Sequence, residues 1–518
     1  MYRKRLAAGL LLVAVATARG QSPPPESALA GAVEKAFVAV NSGSLDETNA
    51  VSVQEAVASS LAGVDRARLD PDDAAHEVAA LYRLMLSLDR KMAALFDRGK
   101  LTNDIASSKR HLLAEIRDLM ETLLARAATA HAPLYESGGT PALAGDATAK
   151  TYNWSVSPGY ESLDLAGLTR AKHTIVAMCM GNEVLSAVIA TSFKSSPDLM
   201  FSHLELLHTL EQPAVIAGKS YPAGALVAVT VDKTGVLVRP VQAFFADQDV
   251  RFDFFALRDA SHQPALDDAA EAFVRKALAA RASGHPLPYD PTQGTTTPGL
   301  VGALANPTPA TENDPRFTPS GYNCAQISAQ IFRSAGLVLD TNMSTMLDGR
   351  GAKALFGSWG IDTSVPMVAP GDLDVTGTLV RLAEGRFVRE LDDDRVRRVV
   401  LAKMFDAMET RAYALQSDPL VNAATFVAAT LNKTILPGLI PAGLSRQATA
   451  NFIILNSAAD SFIDRLPAGA TAAELSSDMD ELLQADEATS QLPLRSPRAT
   501  SPSTPSRTGT TYNLFSPR

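Results

Sequence analysis

Apolar positions recur at helical spacing from Leu29 to Ala130. Leu29–Val40 and Val51–Ala62 each carry one apolar stripe. Pro71–Arg98 carries a longer one, of Val78, Leu81, Met85, Leu88 and Met92, the period of an amphipathic helix. Asp70 is placed to cap that helix, with Pro71 at its first position. A fourth helix is expected from Leu101 to Ala130, through Leu112, Ile116, Leu119, Leu123 and Leu124, with charged residues over much of its opposite face. The pattern predicts a helical domain over 21–140 that covers or extends the next domain of the chain.

The period then changes. After the break at Gly138-Gly139-Thr140-Pro141, His173–Met180 is a mostly apolar run suited to a buried strand, and Glu183–Ser192 reads as a short helix. Phe201–Leu207, Ala225–Val231, Val236–Pro240 and Val250–Leu257 are further strands, with a turn at Lys233-Thr234-Gly235. Leu266–Arg281 returns to helical spacing, and 283–320 is a long segment rich in Gly, Pro and Thr. From Cys324 the apolar residues Ile327, Ile331 and Ala335 define another helix, which Gly336 can end. Leu373-Asp374-Val375 reads as a brief strand, and Leu379–Leu382 with Phe387-Val388 as a hairpin about Glu384-Gly385. Further helices are expected over Asp393–Gln416, Val421–Leu431 and Gln447–Phe462, within a C-terminal helical region over 391–470. The tail 488–518, dominated by Ser, Thr, Pro and Arg, has little to bury and is expected to be disordered. The fold class is α+β: an antiparallel sheet with a cysteine helix at 150–390, flanked by N-terminal and C-terminal helical regions.

Composition narrows the function classes. The chain has 518 residues, 46% hydrophobic and 20% charged, enough for a large core and more than one domain. A net charge of −9 argues against general nucleic-acid binding, which needs a basic footprint. Arg3, Lys4 and Arg5 precede a short apolar run, Leu6–Ala18, with small residues at Ala16 and Ala18. That is the pattern of a signal peptide over 1–20. It implies export to the periplasm or the extracellular space, with a retained N-terminal membrane anchor as the alternative and peripheral association with the envelope open. There is no CxxC, no HExxH and no clustered Cys/His set, so neither cofactor nor metal is expected. The two cysteines, Cys179 and Cys324, are read as free thiols rather than a disulfide scaffold.

Candidate chemistry centres on Cys324. A thiol at a helix N-terminus meets unpaired backbone N–H groups and the positive end of the dipole, both of which favour a thiolate. It needs a base, and His203 in the strand Phe201–Leu207 is the candidate. Glu205, Thr230 and Asp232 are candidates to orient the imidazole. Glu205 shares a strand face with His203 by alternation, and Thr230 and Asp232 share one in or after a neighbouring strand. The backbone N–H of Cys324 is the expected oxyanion donor, with Asn323 or Tyr322 as a side-chain donor. Tyr289-Asp290 can line the cleft. His208 falls on the opposite strand face, and Cys179 lies in a buried run as a packing residue.

These blocks together resemble a known family. His173-Thr174-Ile175-Val176 through Gly181-Asn182 and Leu185-Ser186, then Phe201-Ser202-His203, Val236–Pro240 with Phe244-Phe245, Phe255-Ala256-Leu257-Arg258, Pro288-Tyr289-Asp290 and Tyr322-Asn323-Cys324-Ala325-Gln326 occur in the order of the YiiX/YaeF-like group of permuted papain-like amidases, within the NlpC/P60 superfamily. Histidine before cysteine is the circularly permuted order. The resemblance covers roughly 165–385 and implies Cys324 as nucleophile and His203 as base. Two positions depart from it: Thr230 stands where members tend to carry an acidic residue, and Ala325-Gln326 where a Ser-Glu pair is more typical. The implied activity is amide cleavage through a thioester, on a peptide or a peptidoglycan fragment. Hydrolysis or transfer of an acyl group on a lipid, and an inactive envelope binding or scaffold module, are the alternatives. The oligomeric state is not legible.

Overall fold

In the computed structural model, the residues described are most of 28–130, 153–289, 321–410 and 446–488, with short segments at 413–415 and 515–517. The expected signal peptide, the helix at Val421–Leu431 and Asp290 lie outside them.

The N-terminal helices are α1 (Ala28–Asn41), α2 (Ala50–Ala62), α3 (Ala74–Asp97) and α4 (Asn103–Ala130). Their apolar stripes form one core, with Leu81, Leu84, Met85, Leu88, Leu112, Ile116 and Leu123 all fully buried. α3 starts at Ala74 rather than Pro71. Asp70 instead accepts a hydrogen bond from the amide of Asp72 at 2.9 Å, so it closes a local turn before the helix.

Next along the chain comes a seven-stranded antiparallel sheet, in the order β1-β9-β8-β2-β3-β6-β7. Its strands are β1 (Asn153–Val156), β2 (Ile175–Gly181), β3 (His203–Thr209), β6 (Leu226–Asp232), β7 (Gly235–Pro240), β8 (Asp249–Leu257) and β9 (Leu379–Arg386), with α5 (Val184–Thr191) after β2 and the small hairpin β4 (Ala214–Ile216) and β5 (Lys219–Tyr221) after β3. Alternation sets the two faces. Met178, Leu204, Leu206, Val227 and Val229 face the core shared with α7 (Gln263–Ala282) and α8 (Cys324–Ser334), while Ala177, Cys179, Leu207, Ala228, Phe252 and Phe254 face a second core with α6 (Val241–Ala246). On the C-terminal side, α9 (Arg350–Ser358), α10 (Leu391–Thr410), α11 (Arg446–Ile463) and α12 (Ala472–Ala488) extend the first core through Leu401, Met404, Phe405, Leu455 and Met479.

Three expectations are corrected. Leu373-Asp374-Val375 belongs to a 3-10 turn, Pro370–Val375, stabilised by the Asp372 carboxylate accepting from the Ala369 amide at 2.8 Å. Leu379–Arg386 is one continuous strand, not a hairpin. Glu384-Gly385 stays in register with Asp253 and Phe252 of β8 and with Ser155 and Trp154 of β1. Gly385 is required there by close approach, because a Cβ would run into the Trp154 ring. In the tail, Phe515–Pro517 (β11) pairs antiparallel with Tyr413–Leu415 (β10), which the disordered reading of 488–518 did not foresee. The rest of that tail beyond Ala488 lies outside the described residues.

The charged face of α4 is not solvated. Arg117 is fully buried and donates to Glu384 at 2.9 Å, Asp253 at 3.0 Å and Asp374 at 2.6 Å. Lys109 pairs with Asp89 of α3 at 2.7 Å, and Arg110 with Asp372 at 3.0 Å. Arg381 of β9 joins Asp89, Asp253 and Asp374, and Arg251 of β8 pairs with Glu121 of α4 at 2.6 Å. The helical bundle therefore docks on the β8–β9 side of the sheet through a buried ionic lattice. Burial alone would push Asp89 and Glu384 up. Instead Lys109 and Arg381 hold Asp89 at about 2, and Arg117 and Arg386 hold Glu384 at about 2.

Candidate active site

Cys324 is the first residue of α8. Asn323 caps the helix with its side-chain oxygen on the Gln326 amide at 2.9 Å, and Gln326 returns its own oxygen to the Asn323 amide at 3.0 Å. This reciprocal capping box fixes the helix start, and with it the thiol. Gly336, with φ +72°, closes the other end. The chain before the cap is pinned too: the Tyr322 amide donates to the Pro288 carbonyl at 2.9 Å, and the Val236 amide of β7 donates to Leu287 at 2.8 Å. The segment 286–289 thus ties the cysteine's lead-in to the sheet. Asn323 and Tyr322 serve this anchoring. The Asn323 side-chain oxygen is the cap, and the Tyr322 hydroxyl accepts from Lys276 Nζ at 3.2 Å.

β3 brings the histidine. Its ladder with β6 runs from Thr209–Leu226 to Leu206–Val229 and stops there, although β3 continues back to His203 and β6 on to Asp232. The two strands part at this point, where α8 also packs. The Leu204 amide, one step past the last β6 pairing on its side, donates to the Cys324 sulfur instead, as does the Ala325 amide. His203 is paired with Cys179 across β2, lies on the Glu205 face, and is hydrogen-bonded to the Cys324 sulfur.

Its Nε2 is 2.7 Å from Thr230 Oγ1 and 3.3 Å from Glu205 Oε1. That engages Nε2 and leaves Nδ1 for the sulfur. Glu205 is 1% exposed at its side chain and His203 28%, so the imidazole reaches solvent while the carboxylate behind it does not. Burial would push the Cys324 thiol up, but the His203 charge, its hydrogen bond and the amides of Leu204 and Ala325 overcome this and hold it below the usual thiol range. Burial likewise disfavours the His203 imidazolium, yet the Cys324 sulfur and Glu205 together hold it well above the usual range. The two shifts are coupled, each group favouring the charged form of the other.

Of the sequence candidates, Cys324, His203, Thr230 and Glu205 come together. Asp232 does not: its carboxylate accepts from the Thr234 amide at 2.6 Å and hydroxyl at 2.7 Å, closing the β6–β7 turn. His208 sits on the far face, between Thr174 Oγ1 at 3.0 Å and Glu271 Oε2 at 2.9 Å, as expected of a packing histidine. Cys179 and Cys324 are both free thiols. Tyr289 bridges Tyr322 through the backbone. Arg239 of β7 is the residue that sequence reading missed. Its Nη2 donates to Glu205 Oε1 at 2.5 Å. Only the three-strand register, Leu207–Ala228–Arg239, places it on that face, and no local signal in the chain announces this.

Among the described residues no cluster of His, Cys, Asp or Glu has metal-site geometry, and no helix is long and apolar enough to cross a membrane. No family model, curated protein or solved structure matches the chain.

Proposed function

We propose that the protein is an exported cysteine hydrolase of the permuted papain-like kind, cleaving an amide bond in a peptide or a peptidoglycan fragment through a thioester acyl-enzyme. The observation that carries this reading is Cys324 at a capped helix N-terminus beside His203, whose Nε2 is held by Thr230 and Glu205. The Cys324 thiolate attacks the carbonyl carbon. The Cys324 backbone N–H, a first-turn amide without an acceptor inside the helix, faces the developing oxyanion. As the C–N bond breaks, His203 Nδ1 gives its proton to the leaving amine. Water then attacks the thioester with Nδ1 taking its proton, the carboxylic acid leaves, and the thiolate is restored. Thr230 and Glu205 hold Nε2 throughout.

The test is incubation of the full chain with peptidoglycan peptides and, separately, with a phospholipid, following release of a new amine or of a fatty acid. New amine that disappears in Cys324→Ala supports the reading. Fatty acid without amine would assign the same thiol to lipid acyl hydrolysis. Neither product, with a thiol that titrates ordinarily, would leave a binding module.

A further inference from the structure

The imidazole is backed by more than one charge. Glu205 is buried beside His203, and its Oε1 receives both His203 Nε2 at 3.3 Å and Arg239 Nη2 at 2.5 Å. Its other oxygen, Oε2, has no hydrogen-bond partner among the described residues. A carboxylate removed from water is stable only when paired, and here a guanidinium from the edge strand supplies the pairing. The three side chains share a face through the register of β3, β6 and β7. Thr230, between them, is neutral, so among the described residues the negative charge beside Nε2 is that of Glu205.

We propose that Arg239 is a positioning residue that acts through Glu205: its guanidinium fixes the buried carboxylate against His203 Nε2 and so sets the reactivity of the Cys324 thiol. The relay compensates for threonine at position 230, because a neutral hydroxyl orients the ring but adds no charge. This inference rests on the hydrolase reading and deepens it.

Removing Arg239 has two opposite effects. Glu205 Oε1 would be free to shorten its contact with His203, strengthening the pair. It would also lose its charged partner in a buried site, and would then take up a proton or turn away. The second effect is the larger, because a carboxylate left uncompensated in a buried site loses far more than one tightened hydrogen bond returns.

The experiment measures the rate of iodoacetamide alkylation of Cys324 against pH in the full chain, for wild type, Arg239→Gln, Arg239→Lys, Glu205→Gln and the Arg239→Gln/Glu205→Gln double variant. Thermal melting of each variant controls for folding. The expected result is that Arg239→Gln and Glu205→Gln shift the thiol profile upward by similar amounts, with a roughly three- to tenfold slower reaction near neutrality. Arg239→Lys should lie between them and wild type, and the double variant no further than Glu205→Gln. A merely structural role would change melting but not the profile. If the wild-type thiol is activated and the Arg239→Gln profile overlies it or moves downward, the relay is overturned while the hydrolase reading stands. An ordinary thiol titration in wild type would overturn both.

Discussion

At the residue scale Cys324 and His203 each favour the charged form of the other. The sign of the site's pH dependence follows from the two displacements. Cys324 is lowered, so its contribution to stability is full above the unfolded thiol value near ~8.5 and is lost as pH falls through the folded value. His203 is raised, so its contribution is full below ~6.5 and is lost as pH rises through the folded value. On the proposed function, amide cleavage should rise as the thiol loses its proton and fall as the imidazolium loses its own, a bell whose two limbs are these two groups. In His203→Ala the burial that pushes the thiol up is no longer opposed by the imidazolium, so alkylation at neutral pH should slow by roughly tenfold or more. Thr230→Val removes one hydrogen bond to Nε2 but leaves Glu205 in place. Turnover should drop by about fivefold, as expected for loss of about 1 kcal/mol, with the thiol profile nearly unchanged. Steady-state kinetics and alkylation of that one variant separate orientation from charge.

At the scale of elements, the site depends on where α8 starts and on where β6 and β7 turn. Asn323→Ala removes the cap and should cost about 1 kcal/mol in urea unfolding, with a larger proportional loss of activity because Cys324 is the next residue. Gly235 sits at φ +102° against the Leu287 carbonyl, where a Cβ would collide. Gly235→Ala should destabilise by about 1–3 kcal/mol and loosen the 286–289 segment that pins Tyr322, read by the same unfolding curve and by activity.

The cysteine helix was legible in the chain because its apolar spacing and its lead-in agree. β2, β3, β6 and β7 were legible because they are apolar enough to show a strand period. β9 was not. Arg381, Glu384 and Arg386 are buried in it, and a strand whose inward positions are charged reads as a turn or a surface. The same effect hid the docking face of α4, whose Lys109, Arg110, Arg117 and Glu121 read as solvated until their partners 130 to 270 positions away are seen. Hydrophobic patterning reports burial by exclusion of water from carbon. It has no term for charges that bury one another. Arg239 escaped notice for a related reason, since register across three strands is a long-range property.

At the scale of the whole molecule, the helical bundle and the sheet stand or unfold together. Arg117→Ala would take one of the two guanidinium groups from Asp253, Asp374 and Glu384, leaving Arg381 as the cation they share, and should cost about 3–5 kcal/mol in denaturant unfolding. Arg117→Met, which fills the space but also removes this cation from the buried carboxylates, should not restore the loss. Asp89 and Glu384 are both depressed to about 2. Their contribution is present above the unfolded carboxylate values near ~4 and is lost as pH falls toward 2. Acid unfolding followed by circular dichroism should accordingly show the bundle and the sheet lost in one transition below pH ~4. A bundle that separates first, leaving an intact sheet, would contradict the lattice as the joint between them.

The parting of β3 from β6 has a consequence for how the protein would respond to its own chemistry. In a regular sheet the Leu204 amide would be satisfied by a neighbouring strand; here it is satisfied by sulfur. The Cys324 sulfur thus also serves as an acceptor in the backbone network, and whatever caps it covalently weakens that acceptor. Formation of an acyl-enzyme, or alkylation, neutralises the sulfur and leaves the Leu204 N–H poorly matched. Hydrogen–deuterium exchange at Leu204 should therefore accelerate on modification of Cys324, while the amides at Leu206 and Leu207, inside the paired ladder, keep their protection. The occupied enzyme would carry a local, reversible softening of one strand end, timed by the lifetime of the thioester.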